Sequence, residues 1–346
     1  MKAVQSALTW AFAFSLLSTP AFSTPNQLLK ACLEERNSDR ALDICAKAIE
    51  QTGPAQDIAR ILVRRCVALA ENANYAAAKQ ACKEAIDKDG SSAIAYYDLG
   101  NILMREQRYR DAILNYDKAT SIDKNYAKAF NNKCYTYNYL KDYDVAVMEC
   151  NKAISIDPNQ PSFFVGRGNA LLNKGDLHKA EADYLKAREL DPNNQSALVG
   201  LAAVRQQAGD YAGAIKLLDR VNIDQTEDAA TVLNNRCWTR ALSTSDKAEL
   251  SIALSDCTAA LGILPTADWV LDSRALTYLK MGELEKAAED YRQALILDPA
   301  KASSQYGYGL ILQKKGDKRG EDYIRKAIEA DRTISEDFVK YGVNSP

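Results

Sequence analysis

The chain has 346 residues, of which 47% are hydrophobic, enough to build a substantial buried core. Its 44 basic and 46 acidic residues nearly cancel, so overall charge gives no pull toward nucleic acid or an anionic membrane. The single histidine, His178, excludes a multi-histidine metal site and lies just past a Gly-Asp turn, where a solvated rim position is expected.

At the N-terminus, Lys2 precedes an uncharged apolar run from Ala7 to Leu17, and Pro20 then breaks any helix. Ala21 and Ser23 put small residues at the two positions a leader peptidase reads, which predicts a leader over residues 1–23 cleaved after Ser23. The run is too short to span a bilayer comfortably, and no other stretch looks membrane-spanning. Lys30 sits two residues before Cys32, where a lipidation signal needs a small or apolar residue.

Four segments, 93–126, 127–160, 161–194 and 268–301, share one layout: two amphipathic helical stretches separated by a polar break, often Gly-Asp or Lys-Asp. Three of them close on Asp-Pro, at Asp157-Pro158, Asp191-Pro192 and Asp298-Pro299. Counting from the start of each segment, position 8 is small (Gly100, Gly168, Ala275) and position 20 is alanine (Ala112, Ala146, Ala180, Ala287). Position 24 is large (Tyr116, Tyr184, Tyr291), and position 27 is alanine (Ala119, Ala153, Ala187, Ala294). Small residues at 8, 20 and 27 let two antiparallel helices approach, and the aromatic at 24 fills the space beside them.

These recurring residues resemble the tetratricopeptide repeat (TPR) family over about residues 25–332. The resemblance implies an all-α fold, an α-solenoid of about nine TPR-like helix-turn-helix repeats forming a right-handed superhelix. Units are expected to begin near Pro25, Ala59, Ala93, Ala127, Pro161, Gln195, Ala230, Asp268 and Ala302. The first unit has a shortened turn at Asn37-Ser38-Asp39, and the seventh has an insertion around Ser243–Leu250. The sixth lacks the closing alanine and proline, carrying Val221 and Thr226 there. Residues 333–346 are expected to form a C-terminal capping helix and tail, with the helix from Ser335 to Tyr341 covering the last repeat's apolar edge.

Within an antiparallel hairpin turning near position 16, positions whose numbers sum to about 32 face each other. By that rule Cys66 faces Cys82, Cys134 faces Cys150, and Cys237 faces Cys257 once the insertion is counted. Cys32 and Cys45 straddle the shortened first turn. Units without cysteine carry a small–large pair at these positions, and units with cysteine change both together. The register therefore predicts four intrarepeat disulfides, 32–45, 66–82, 134–150 and 237–257, in an oxidising compartment. The competing reading, buried free thiols, fits the leader poorly. Two ligands per pair fall short of a zinc site, and buried hairpin contacts argue against a redox switch.

No Ser-x-x-Lys, H-E-x-x-H, P-loop or G-x-S-x-G pattern occurs. Gly307-Tyr308-Gly309 imitates part of a dinucleotide loop but has no strand before it. Acidic and basic residues alternate along the helices in the manner of a solvated surface. The expectation is therefore a non-enzyme with no cofactor and no metal.

In the family, first helices line an inner face, with positions 2, 5, 9, 12 and 13 directed into it. Mapped here, they give Tyr97, Asn101 and Met104 from the third unit and Lys128, Asn131, Tyr135 and Asn138 from the fourth. Asn169 and Asn173 come from the fifth, and Asn234 and Trp238 from the seventh. Asparagine can pair with a peptide backbone whatever its sequence, and tyrosine adds apolar area with a polar tip. The family's clamp for chaperone C-termini is matched only in single elements, Lys128 and Asn132. The reading is a periplasmic or secreted scaffold that binds a protein or extended peptide through its concave face, possessing neither a nucleic-acid partner nor stable membrane insertion. Envelope-complex assembly or secretion would suit it. The alternative is a passive structural subunit assembling through its terminal repeats or convex face.

Overall fold

A computed structural model describes residues 24–343 apart from Glu227. The expected leader over residues 1–23 and the last three residues of the tail lie outside the described residues. Among the described residues there are nineteen α-helices, one 3-10 turn and no strand. The first three helix pairs are α1 (Pro25–Glu34) with α2 (Ser38–Gln51), α3 (Ala55–Glu71) with α4 (Tyr75–Lys88), and α5 (Ala93–Arg105) with α6 (Tyr109–Ile122). Next come α7 (Ala127–Tyr139) with α8 (Tyr143–Ile156), α9 (Pro161–Lys174) with α10 (Leu177–Leu190), and α11 (Gln195–Gln207) with α12 (Tyr211–Leu218). The last pairs are α13 (Ala229–Ser243) with α14 (Lys247–Ile263), α15 (Asp268–Met281) with α16 (Leu284–Leu297), and α17 (Ala302–Lys314) with α18 (Arg319–Ala330). A final helix, α19, covers Ile334–Lys340. The second hairpin starts at Ala55, four residues before the repeat register places it, because Pro54 ends the preceding loop and opens the helix. The chain forms two compact units that divide between Ala129 and Phe130.

One residue makes the turn in seven hairpins. Gly175, Gly209, Gly282 and Gly316 have φ of 90°, 81°, 81° and 76°, and Ala73, Gln107 and Lys141 take the same left-handed conformation at 56°, 59° and 62°. All seven occupy position 15. The next residue's N–H then reaches back five residues, as in Asp176 to Leu171, Glu283 to Tyr278 and Asp142 to Tyr137, which satisfies a carbonyl at the end of each first helix. The second helices also end alike. Asp89, Asp123, Asp157, Asp191, Asp298 and Asp331 follow them, and each carboxylate accepts the N–H two residues on. Aspartate thus makes the link between repeats with or without a proline behind it.

Tyrosine at position 24 is the main packing element. Tyr116, Tyr184 and Tyr291 are at most 1% exposed. A Cβ on Gly168 would stand 2.8 Å from the Tyr184 ring, and one on Gly200, in the next repeat, 2.3 Å from it. The ring is therefore clasped between two glycines of successive hairpins, and neither can carry a side chain without displacing it.

The charges depart from a purely solvated pattern. Position 7 and position 23 form an ion pair in four hairpins: Lys133–Glu149 at 3.0 Å, Arg167–Asp183 at 2.7 Å, Arg236–Asp256 at 2.5 Å and Arg274–Asp290 at 2.7 Å. The three arginines grip their carboxylates with two N–H donors each. The acids are nearly buried, so these pairs bridge the two helices of a hairpin and do not decorate the surface.

The irregular units have local causes. In the sixth, α12 stops after eight residues, and buried Val221 followed by a 3-10 turn at Ile223–Gln225 replaces the last helical turns. In the seventh, the insertion lengthens α13 and α14 to 15 and 17 residues while the turn between them stays short.

Candidate functional site

The four cysteine pairs each join the two helices of one hairpin. Sulfur–sulfur distances are 2.01 Å for Cys32–Cys45, 2.02 Å for Cys66–Cys82, 2.17 Å for Cys134–Cys150 and 2.01 Å for Cys237–Cys257. Their Cα atoms lie 4.9–5.5 Å apart, and every one of these side chains is fully buried. No cysteine is free.

The groove residues divide into those spent inside the fold and those that present polar groups. In the first compact unit, Asn101 accepts the Tyr116 hydroxyl at 2.8 Å. Tyr97 packs between Tyr116 and Tyr126, with ring centroids 6.0 and 5.0 Å away. Met104 packs against the buried cluster that holds Cys66 and Cys82. Of the four residues expected to line a groove there, Lys128 alone is exposed.

The second compact unit repeats the tyrosine–asparagine bond, for Asn169 accepts the Tyr184 hydroxyl at 2.8 Å. Position 9 asparagine therefore serves first to satisfy a buried phenol. In the eighth repeat that position is Leu276, and the Tyr291 hydroxyl is buried without a hydrogen-bond partner among the described residues.

A different set lies together on the next pair of first helices, with Asn173 exposed at its outer end. On α7 and α9, Asn173 donates to Asn138 at 3.1 Å, and Tyr135 donates to the Ser162 carbonyl at 3.4 Å. Burial, reinforced by Tyr139, pushes the Tyr135 phenol up to about 12, so it stays a neutral donor. Beside it Asn131 is only 6% exposed, and its Oδ1 has no hydrogen-bond partner among the described residues. That oxygen faces Gly166, where a Cβ would stand 3.0 Å away. Asn131, Tyr135, Asn138 and Asn173 thus form one strip with an unanswered acceptor at its buried end.

Asn234 and Trp238, on α13, do not join this strip, because α11 intervenes with Val199 and Ala203 at the corresponding positions. Asn234 has the same character as Asn131: 8% exposed, with an unpartnered Oδ1. The Trp238 ring is covered edge-on by Tyr341, 5.4 Å between centroids. A cavity of about 330 Å³ opens at α8, α9 and α10, lined by Val147, Asn151, Arg167, Leu171, Lys179, Ala182 and Asp183. It is open, and the Arg167 guanidinium on its wall is already engaged by Asp183 and Asn151. No described helix is long and apolar enough to cross a membrane.

Comparison with known proteins agrees with this architecture. Family profiles described as tetratricopeptide repeat match residues 93–126, 127–160 and 171–233, and one described as TPR repeat matches 275–316. Among curated proteins, the heat-shock protein cognate (HSC) co-chaperone sgt12 of Aspergillus fumigatus is 34% identical over 98 residues. That segment is 28% of this chain and 29% of the co-chaperone, so the chain spans under a third of that relative. Among solved structures, a chain of the APC/C hetero-tetramer Cut9–Hcn1 superposes with a TM-score of 0.64 at 14% identity, covering 88% of this chain and 55% of that one. A tetratricopeptide repeat protein from Parabacteroides merdae gives 0.57 at 16% identity over 80% of this chain and all of its own. Pseudomonas aeruginosa pilF gives 0.51 at 19% identity over 64% of this chain and 99% of its own. At these identities the likeness is one of fold.

Proposed function

Because the chain belongs to the tetratricopeptide repeat family, a family of protein-interaction scaffolds, we propose that it is an exported, non-enzymatic scaffold whose α7–α9 strip holds the backbone of an extended peptide. The observation that carries this is the exposed Asn173, whose amide donates to Asn138 of the preceding first helix at 3.1 Å and marks a polar edge along α7 and α9. Asn138 and Asn173 continue the same edge with amide groups that any peptide backbone can use.

Four cysteine pairs at bonding distance in four separate hairpins support export, since such bonds persist in oxidising compartments and are rare in the cytosol. A periplasmic or secreted address, with a role in envelope assembly or secretion, fits that chemistry. The co-chaperone role of the Aspergillus relative fits poorly, because no three consecutive units supply the family's basic carboxylate clamp.

A photo-crosslinker at Asn173 in the native compartment, followed by identification of the linked peptide, tests the reading. Asn131→Ala with Tyr135→Ala should abolish the crosslink while the circular dichroism stays unchanged. Capture that survives both substitutions would shift support to assembly through the second helices, where Met148 and Leu185 are 56% and 52% exposed.

A further inference from the structure

The first helices α7, α9, α11 and α13 contain no acidic residue, although 26% of the chain is charged. Their cations are taken up by acids of the second helices. Lys133 pairs with Glu149 at 3.0 Å, Arg167 with Asp183 at 2.7 Å, Arg205 with Glu181 at 2.7 Å and Arg236 with Asp256 at 2.5 Å. Arg240 meets Asp219, just past α12, at 2.5 Å, and Lys174 meets Asp144 of α8. The remaining cation, Lys128, lies on the N-terminal side of the division at Ala129. Positions 5, 9, 12 and 13 of these four helices carry no charge at all.

Toward the turns, several of these uncharged side chains are carboxamides. Helix α7 supplies Asn138 at position 12, α9 supplies Asn173 at position 13, and α11 supplies Gln206 and Gln207 at both. Asn173 donates to Asn138 at 3.1 Å, and Gln206 accepts the Thr239 hydroxyl of α13 at 2.7 Å. Gln207 is exposed, as Asn173 is. Helices α9 and α11 pack directly against each other, so the row continues from one first helix to the next. Tyr139, 60% exposed, stands at the α7 end, and half-buried Val199 and Ala203 give α11 a small apolar floor. A charged side chain laid along this row would give up water and meet no counter-ion, whereas amides and backbone groups would exchange one set of hydrogen bonds for another.

We infer that the strip continues onto α11 and selects an uncharged extended segment of a partner protein, about six residues long, with carboxamide, hydroxyl or small aliphatic side chains, lying from Tyr139 to Gln207. This rests on the peptide reading of the α7–α9 strip and adds the length and chemistry of what is held. Helices packed about 8–10 Å apart set α7 and α11 about 20 Å from each other, which six extended residues span at about 3.3 Å each. Selectivity here comes from rejecting charge, since nothing on the row attracts it.

The test places a photo-crosslinker at Asn173 of the full chain in its native compartment and sequences the linked segment. That segment should hold no Asp, Glu, Lys or Arg over about six residues around the linked position. Gln207→Glu and Gln207→Lys should each lower capture by about threefold or more, because either charge faces an uncharged partner. Gln207→Asn keeps the amide and should hold capture near the wild-type level. Gln207 is exposed, so the three variants should share the wild-type circular dichroism. A charged linked segment, or one charge that strengthens capture while the other weakens it, overturns the inferred chemistry and leaves the peptide reading standing. Capture indifferent to both charges overturns the extension onto α11. A crosslinker that links nothing removes the peptide reading, and this inference with it.

Discussion

Three tyrosines at one repeat position, with different hydrogen bonding, give an internal measurement of what a buried hydroxyl costs here. Tyr116 and Tyr184 each donate to an asparagine at 2.8 Å, whereas the Tyr291 hydroxyl donates to nothing among the described residues. Removing the Tyr184 hydroxyl by Tyr184→Phe deletes a bond and leaves the Asn169 carbonyl to partial solvent, which should cost about 0.5–1.5 kcal/mol. Tyr291→Phe deletes only an unmet desolvation penalty and should stabilise its hairpin by about 1–3 kcal/mol. The two substitutions are chemically identical, so the sign difference isolates the partner. Repeat arrays open segment by segment, so the readout is native-state hydrogen exchange of α10 and α16 amides, with urea unfolding as a global check. Tyr116→Phe should behave as Tyr184→Phe does. Equal loss of protection in α16 and α10 would refute the reasoning.

Other expectations follow from the same structure. Lys141→Gly relieves a left-handed non-glycine turn at φ 62° and should stabilise by about 0.5–1 kcal/mol in urea denaturation, while Gly175→Ala at φ 90° should cost about as much. Asp290→Asn strands Arg274 at a nearly buried pair and should cost about 3–5 kcal/mol, yet Arg274→Met with Asp290→Leu should be close to neutral. Burial pushes the Asp98 carboxyl up to about 7. The fold thus favours its protonated form, and that stability is fully present below about pH 4 and lost as pH rises through about 7, at most about 4 kcal/mol in all. Asp98→Asn should flatten this slope in pH-dependent melting of the first unit. Intact mass should rise by about 2 Da per bridge on reduction, and Cys134→Ser with Cys150→Ser should cost about 3 kcal/mol.

The repeat itself was legible because close helix packing permits little besides glycine, alanine or a bridged cysteine at position 8, and little besides alanine at positions 20 and 27. The rule that pairs the cysteines across each hairpin reaches further. Positions 9 and 24 sum to 33 and positions 7 and 23 to 30, so Asn169 with Tyr184 and Arg167 with Asp183 were equally paired by spacing. Asn101 and Asn169 read as groove residues because a helical face locates a side chain without saying which neighbour consumes it. The seat of α19 was legible only in part, as a helix over the last repeat. Ile334, Phe338 and Tyr341 mark an apolar stripe, but nothing local says whether it folds against the array's end or returns to Trp238.

The crosslinks also bear on how the molecule acquires its bonds. Every bridge joins cysteines that are consecutive in the chain, first to second, third to fourth, and onward. A polypeptide threading into an oxidising space from its N-terminus would have each thiol meet its mate before the next pair emerges. Oxidation could then proceed vectorially, one hairpin at a time, leaving no mispaired intermediates for an isomerase to proofread.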